Sequence, residues 1–457
     1  MPDPISEIKF KMEKAGLAGP AIAAFLFQYR KLARNDEGLI PESSIEPCED
    51  LPSIDDQPEP SGTALLAQQT VVLKLNGGLG TSMGLEKAKS LLPVRDQLTF
   101  LDIIVRQFLR LRSEVSSGLS LLFMNSFSTS SDTIAALSKY AELGDPRKLE
   151  LLQNKVPKID AMSLAPISWP ANPALEWCPP GHGDIYPSLL GSGLLDRLLS
   201  EGKRFLFVSN SDNLGATLDL RLLSYFARLG APFLMEVTRR TGADRKGGHL
   251  ARRKDDHRLL LRESAQCPEK DLDAFQDIER HRYFNTNNLW VRLDSLRAEL
   301  HRQNGLLPLP LIRNVKTVDP RDKSTPKVYQ LETAMGAAVE CFEGAAAIEV
   351  PRSRFSPVKT TADLLAVRSD AYELDPEFRL LLRAERKGIP PIVKLDDRYK
   401  LVDQLEELTA GGVPSLMQCH SLSIEGGFQF EPGVVITGDV RFANAFPTVQ
   451  KIKAGTY

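Results

Sequence analysis

Residues 76–84, NGGLGTSMG, place Gly77, Gly78, Gly80 and Gly84 directly after the apolar, β-branched run 71–75. A strand that ends in glycines lets backbone N–H groups approach a phosphate or a base edge without side chains in the way. Leu75, Asn76, Gly77 and Gly78 are therefore candidate nucleotide-binding residues, with a simple tight turn as the alternative. Walker A chemistry needs GxxxxGK followed by Ser or Thr, which neither Gly80 nor Gly84 supplies. The dinucleotide fingerprint GxGxxG is replaced by GxGxxxG at Gly78, Gly80 and Gly84, and no acidic residue ends a second strand at the expected distance. Lys89, shortly after the loop, is either a phosphate-facing cation or a solvated helix start.

Other stretches carry groups of complementary chemistry. Gln153 ends LELLQ, and its amide offers both donor and acceptor to a base edge, or simply caps an edge strand. PPGHGD sets Gly181 and His182 in a rigid, close-approach loop, where a histidine can equally be solvated or cap a helix. FVSNSDN ends a buried strand in Asn210, Ser211, Asp212 and Asn213. An aspartate there caps the next helix or holds a turn, and it is also where Mg²⁺ on phosphates would be bound. FNTNNLW and QLETAMGAA supply Asn285, Asn287 and Glu332, a mixture suited to sugar hydroxyls, with Gly248 of KGG leaving room; Glu332 opening a helix would also compensate the helix dipole. The five other histidines show no metal spacing such as HExxH.

These residues need a scaffold that brings strand ends together. Short apolar runs at 71–75, 120–125, 149–153, 204–210, 233–238, 289–293 and 346–351 alternate with helical stretches at 98–114, 131–142, 217–229 and 330–342. The pattern predicts an α/β fold, a central mostly parallel sheet with helices on both faces. In such sheets ligands sit beyond the carboxyl ends of the strands, where the candidate residues lie. Apolar spacing over 4–34, broken at Gly19 and Pro20, predicts two amphipathic helices, and the acidic, proline-rich stretch 41–62 predicts an irregular connector. Glycine-punctuated β-branched pieces at 428–442 predict solenoid coils or a small sheet. Three parts result: a helical arm and connector (1–64), a nucleotide- and sugar-binding α/β domain (65–385) and a small C-terminal β-rich domain (386–457).

Composition narrows the partners. The 457 residues are 42% hydrophobic and 25% charged with a formal net charge of −2, so no global charge favours nucleic acid or an anionic membrane. The basic segment 239–258 interleaves acidic residues and lacks aromatics, which predicts a solvated hairpin or lid. Five scattered cysteines without a CxxC pair, a charged opening MPDPISEIKFKMEK and no membrane-length apolar run point to a cytoplasmic protein.

Several of these blocks occur together in one known family. KLNGGLGTSMG with Lys89 and Ser90, PPGHGDIYPSLLGSG (179–193), FVSNSDNLGA (207–216), KGG (246–248), FNTNNLW (284–290), QLETAMGAA (330–338) and PRSRFSPVKTTADLL (351–365) appear in family order. On these the chain resembles the UTP–glucose-1-phosphate uridylyltransferases, the UDP-glucose pyrophosphorylases, with looser likeness at both ends. Many relatives carry Gly-Pro before the loop lysine, where this chain has Lys87 and Ala88.

The resemblance implies a nucleotide-diphospho-sugar transferase fold and transfer of UMP from UTP to glucose 1-phosphate, giving UDP-glucose and pyrophosphate by Mg²⁺-assisted in-line displacement. Asn76, Gly77 and Gly78 would meet the uridine, Gln153 and the Gly181 backbone the uracil, and His182 the sugar phosphate. Lys89 and Lys359 would neutralise the reacting phosphates, and Asp212 would be the metal-linked carboxylate. Asn210, Gly248, Asn285, Asn287 and Glu332 would line the sugar and phosphate side. Alternatives are a uridylyltransferase for another hexose 1-phosphate, galactose or N-acetylglucosamine, and a non-catalytic nucleotide-sugar sensor or assembly protein. Exposed β edges in the last segment would permit a homo-oligomer.

Overall fold

The computed structural model describes residues 3–36 and 38–457, so Met1 and Pro2 of the charged opening stretch lie outside it. Helices Pro4–Lys14 and Gly19–Ala33 open the chain. Asp3 caps the first, and Pro20 sits in the first turn of the second, where its missing N–H costs nothing. Their apolar faces (Ile8, Met12, Phe25, Tyr29) share a core with Val156, Ile159 and Leu331, which fixes the arm to the flank of the central domain.

The expected β/α alternation builds one ten-stranded sheet. Strands Thr70–Leu75, Ser120–Asn125, Glu150–Leu152 and Phe205–Asn210 run parallel, and Phe233–Arg239 pairs parallel with Ala346–Glu349. Tyr283–Arg292 lies between these groups, antiparallel to both Phe205–Asn210 and Phe233–Arg239. The apolar run 289–293 reveals only the second half of that strand. Its first half is amide-rich and bulged: the register shifts at Glu236/Val237, and Asn287 takes φ +61°.

Helices cover both faces. Phe100–Glu114 and Leu220–Leu229 enclose Phe100, Phe123, Phe207, Phe226 and Trp290 on one side. Ile185–Gly191, Leu194–Ser200 and Leu293–Arg302 enclose Val71, Leu73, Leu206 and Leu289 on the other. Successive residues of one strand thus enter opposite cores, which is why these strands read as continuous apolar runs. Each such side chain contributes about 1.5–3 kcal/mol on full burial.

Three local expectations are corrected. Residues 330–332 do not begin a helix: they finish the strand Lys327–Glu332, paired with Ile312–Thr317 and Ile159–Asp160, and Met335–Cys341 is a 3-10 turn. Leu331, Glu332, Ala334 and Met335 are sound helix formers, but propensity is worth less than the cross-strand pairing available there. The helix expected over 131–142 stops at Leu137, because Tyr140 adopts φ −105°, ψ 83°. The connector 41–62 is tied into the sheet: Ile45–Pro47 pairs with His249–Arg253, Ser53 bridges to Glu349, and Ile45, Cys48 and Ile54 are buried.

In the C-terminal part, Ile392–Leu395, Ser415–Glu425, Val434–Ala443 and Gly455–Thr456 pair parallel in chain order, as solenoid coils do. Their inner residues Leu416, Leu422, Ile424 and Ile436 belong to the same core as Phe100 and Phe207. No helix among the described residues is long and apolar enough to cross a membrane.

The basic segment forms the expected hairpin, His249–Arg253 with Leu259–Arg262, but its root is buried. There the His249 and His281 rings stack at 3.8 Å, and His281 Nε2 lies 3.0 Å from Glu42 Oε1. His249 Nε2 and His281 Nδ1 are buried without a hydrogen-bond partner. Burial, then the charge His281 would carry, pushes the His249 pKa down to about 2, and burial also lowers that of His281. Both folded values lie below the unfolded value of about 6.5, so the unfolded chain takes up these protons first as the pH falls. Stability is expected to decline below about pH 6.5 by up to about 1.4 kcal/mol per pH unit per histidine. Unfolding midpoints of wild type and His249→Phe between pH 5 and 7 check this. The variant should show the shallower slope, and equal slopes would reject the assignment.

Candidate active site

The parallel strands deliver their carboxyl ends to one edge, and the glycine-rich loop 76–84 begins there. Asn76 N–H extends the ladder by donating to Met124 O at 2.8 Å. The Asn76 side chain turns inward, donating to Asn125 Oδ1 (2.8 Å) and Thr133 Oγ1 (2.9 Å), while Thr129 Oγ1 donates to Asn76 O. Asn76 therefore acts by holding the turn and leaves the backbone of Gly77 and Gly78 accessible. Gln153 Nε2 donates to Gly181 O at 2.8 Å, and a Cβ on Gly77 would lie 2.8 Å from Gln153 Oε1. Gly181 has φ +79°, and a Cβ there would sit 2.5 Å from Thr333 O. Leu75, Gly77, Gln153 and Gly181, read separately in the sequence, thus form one wall.

Leu75 pairs with Asn210 across the sheet, and Ser211 N–H donates back to Leu75 O at 3.1 Å. The next residue, Asp212, binds Lys89 Nζ through Oδ2 at 2.8 Å, with side chains only 14% (Lys89) and 20% (Asp212) exposed. Asp212 Oδ1 is buried and has no partner. Helix capping is not its role, because Asp219 caps Leu220–Leu229. Asn213 instead staples the loop to the segment ahead of Lys359: Nδ2 donates to Arg354 O, and Oδ1 accepts from Ser356 N–H, both at 3.0 Å. Val358 N–H donates to Asp212 O at 3.1 Å. Lys359 follows, exposed and with no ion pair among the described residues.

His182 Nδ1 accepts from Met335 N–H at 3.0 Å, which leaves its proton on Nε2. Burial first, and the Lys359 charge second, lower its pKa to about 4, so the ring is a neutral donor. Arg352 and Arg354 do not face the same space. Arg352 pairs with Asp244 at 2.8 and 3.0 Å, and Arg354 with the fully buried Glu236 at 2.7 and 2.8 Å.

On the sugar side, Asn285 and Asn287 bond each other on the strand bulge, Asn285 Nδ2 to Asn287 Oδ1 at 3.1 Å and Asn287 N–H to Asn285 Oδ1 at 2.9 Å. A Cβ on Gly248 would lie 2.5 Å from Glu263 Oε2. Burial raises the Glu263 pKa against the opposing charge of Lys359. Sequence reasoning missed Glu263; the available signal was its place just after the apolar strand Leu259–Arg262. Glu332 lies beside the Gly181 turn, where Asn314 Nδ2 donates to its Oε1 at 3.0 Å. It ends a strand, so the dipole role has no basis.

The donor chemistry fits a hard cation. No group of three acidic, histidine or cysteine side chains capable of holding a metal occurs among the described residues. A single carboxylate with a free buried oxygen, Asp212, suits Mg²⁺ that takes its remaining oxygens from phosphate and water.

The family model described as UTP–glucose-1-phosphate uridylyltransferase matches residues 24–437. The enzyme of that name from Solanum tuberosum is 40% identical over 411 residues, 89% of this chain and 82% of the relative. Its counterpart from Saccharomyces cerevisiae is 42% identical over 370 residues, 81% and 72% of the two chains. A mutant UDP-glucose pyrophosphorylase from Leishmania major, solved in complex with UDP-glucose, superposes with a TM-score of 0.94 at 47% identity, covering 100% of this chain and 98% of that one. A Trypanosoma brucei UDP-glucose phosphorylase gives a TM-score of 0.92 at 47% identity over 99% and 97%. Matched by the family model over residues 24–437 and 40% identical to a curated member over 89% of its length, this protein belongs to the UTP–glucose-1-phosphate uridylyltransferase family.

Proposed function

We propose that this chain transfers UMP from UTP to glucose 1-phosphate. An oxygen of the sugar phosphate attacks the α-phosphorus, the bond to the bridging oxygen of the β-phosphate breaks, and pyrophosphate leaves. One phosphoanhydride replaces another, so the reaction is reversible. The observation that carries the reading is the Lys89–Asp212 pair joined through Val358 to Lys359, two cations and a carboxylate at the carboxyl edge of the sheet. A step of this kind asks a protein for positioned charge rather than a covalent nucleophile.

Gly77, Gly78, Gln153 and the Gly181 backbone hold the base; His182 donates its Nε2 proton to the sugar phosphate; Lys89 exchanges its carboxylate partner for triphosphate oxygen. Asn285, Asn287 and Glu263 meet the hexose hydroxyls. Asp212 Oδ1 would hold Mg²⁺, which when bound offsets the repulsion between the two polyanions. Free, buried cysteines at all five positions fit a reducing cytoplasm. Open β edges on the terminal coils leave room for self-association.

The test is pyrophosphate release from UTP and Mg²⁺ against a panel of hexose 1-phosphates. Turnover is expected with glucose 1-phosphate, abolished by EDTA and reduced at least about 10²-fold in Asp212→Ala. Preference for galactose or N-acetylglucosamine 1-phosphate would move the substrate. No turnover with any sugar, despite UDP-glucose binding, would overturn the catalytic reading.

A further inference from the structure

The strand that leads into the nucleotide loop buries one charged residue. Along Thr70–Leu75 the side chains alternate between the two cores, and Lys74 shares a face with Val72. It is 3% exposed. Its partner in register on the neighbouring parallel strand is Ser209. Lys74 Nζ donates to Ser209 Oγ at 2.7 Å and to Ala216 O at 2.6 Å.

Those two acceptors bracket residues 210–215, the loop that carries Asp212 and Asn213. Ser209 is the last strand residue but one, and Ala216 is where the loop turns back over the core. The loop has little regular structure of its own: Asn213 N–H reaches Asn210 O and Ala216 N–H reaches Asn213 O, each at 3.3 Å. Just beyond, Arg354 Nη2 donates to Thr217 O at 3.1 Å, and Arg354 is itself locked by Glu236. Two buried cations thus grip consecutive carbonyls at the loop exit, and only Lys74 also reaches its entry. Burial, with repulsion from Arg354 and against the attraction of Glu236, lowers the Lys74 pKa to about 7. Both hydrogen bonds are open to the ammonium and to the neutral amine alike, since each form carries at least two protons on Nζ.

We propose that Lys74 is a positioning residue for the uridylyl transfer: by tying Ser209 to Ala216 it fixes the loop that presents Asp212 Oδ1 and docks the Lys359 segment. Through that loop one side chain beneath the site governs both the Asp212 carboxylate and the segment leading to Lys359, whose Val358 N–H and Ser356 N–H hang on Asp212 O and Asn213 Oδ1. The inference rests on the proposed function for what Asp212 does, and on geometry alone for what Lys74 holds.

The test uses full-length Lys74→Met, which keeps the length and apolar stem and removes both donors, with Ser209→Ala as the milder second variant. Amide hydrogen exchange on the unliganded proteins reads the clamp without turnover. UDP-glucose titration and steady-state pyrophosphate release separate binding from chemistry. Faster exchange over 211–217 and 356–359 is expected in Lys74→Met, with protection of 71–75 retained. kcat should fall at least tenfold, with UDP-glucose affinity changed less than threefold; Ser209→Ala should show the same pattern in weaker form. A folded Lys74→Met with unchanged loop exchange and kcat overturns the proposal, as does a parallel loss of kcat and UDP-glucose binding. If Lys74→Met does not fold, Ser209→Ala decides: unchanged exchange over 211–217 overturns the proposal. An inactive wild type would sink the proposed function instead, while the exchange data would still report on the clamp.

Discussion

Lys359→Ala is expected to lower kcat by about 10²–10³-fold while UDP-glucose still binds and the unfolding midpoint stays where it is. The side chain is exposed and unpaired among the described residues, so its removal empties no core and strands no buried partner. Exposed substitutions of this kind usually change stability by less than about 0.5 kcal/mol. Its charge nevertheless reaches the site, since it contributes to the lowered pKa of His182 and opposes the raised one of Glu263. In the proposed mechanism a cation whose field reaches His182 and Glu263 stabilises charge that grows at the transferring phosphorus, an effect worth about two to three orders of magnitude when one such group is removed. Steady-state pyrophosphate release and calorimetric titration with UDP-glucose check the split. An unchanged kcat removes Lys359 from the mechanism, and a loss confined to KM makes it a ground-state contact. Lys359→Arg keeps the charge but alters its shape, and should recover part of the rate.

Arg354→Ala should act in the opposite way, through the fold before the chemistry. Glu236 is fully buried and receives Arg354 at 2.7 and 2.8 Å, Trp290 Nε1 at 2.9 Å and Asn288 Nδ2 at 3.0 Å. Deleting the guanidinium leaves a carboxylate in the core with two neutral donors, which costs about 3–5 kcal/mol when a buried pair is broken. The same change frees Thr217 O and the Lys359 segment, so activity should fall with stability. Replacing both partners, Arg354→Met with Glu236→Gln, should be less destabilising than Arg354→Ala, because no uncompensated charge remains. Thermal and urea unfolding midpoints of the three proteins decide this. A double replacement as damaging as the single one would mean that the pair supports the fold by packing alone.

Much of this site was legible before any coordinates. The strands at 71–75, 120–125, 204–210 and 233–238 announce themselves because burial on both faces makes them mostly apolar and β-branched, and Gly77, Asp212 and Asn210 stand where those runs stop, as Gln153 does at the end of 149–153. The fold was misread where local preference and tertiary demand diverge. QLETAMGAA is good helix sequence, yet Lys327–Glu332 is claimed by Ile312–Thr317. The acidic connector reads as irregular, yet Ile45–Pro47 is a sheet strand and Ile45 and Ile54 anchor it. Lys74 was hidden inside an apolar word, although its even spacing from Val72 already put it on a buried face. Glu263 belongs to no motif; its place just after the strand Leu259–Arg262 was the one local sign of it, and the approach of Gly248 makes it plain.

By itself the sequence determined which residue types stand at the strand ends and in what order: glycines where backbone is bare, lysines and one aspartate of a chemistry suited to phosphates, amides of a chemistry suited to a base or a sugar. These follow from residue type and from periodicities of two and about four residues, which are local and survive in a string of letters. Only the tertiary structure decided the partners. It sets Lys89 on Asp212 across 123 residues, Gln153 on Gly181, and the Met335 N–H on His182. It also gives Arg354 to the buried Glu236 across 118 residues. Such pairings depend on strand order and on which loops cross which edge, and those are fixed by closing one shared core, a global condition that no short stretch of the chain contains.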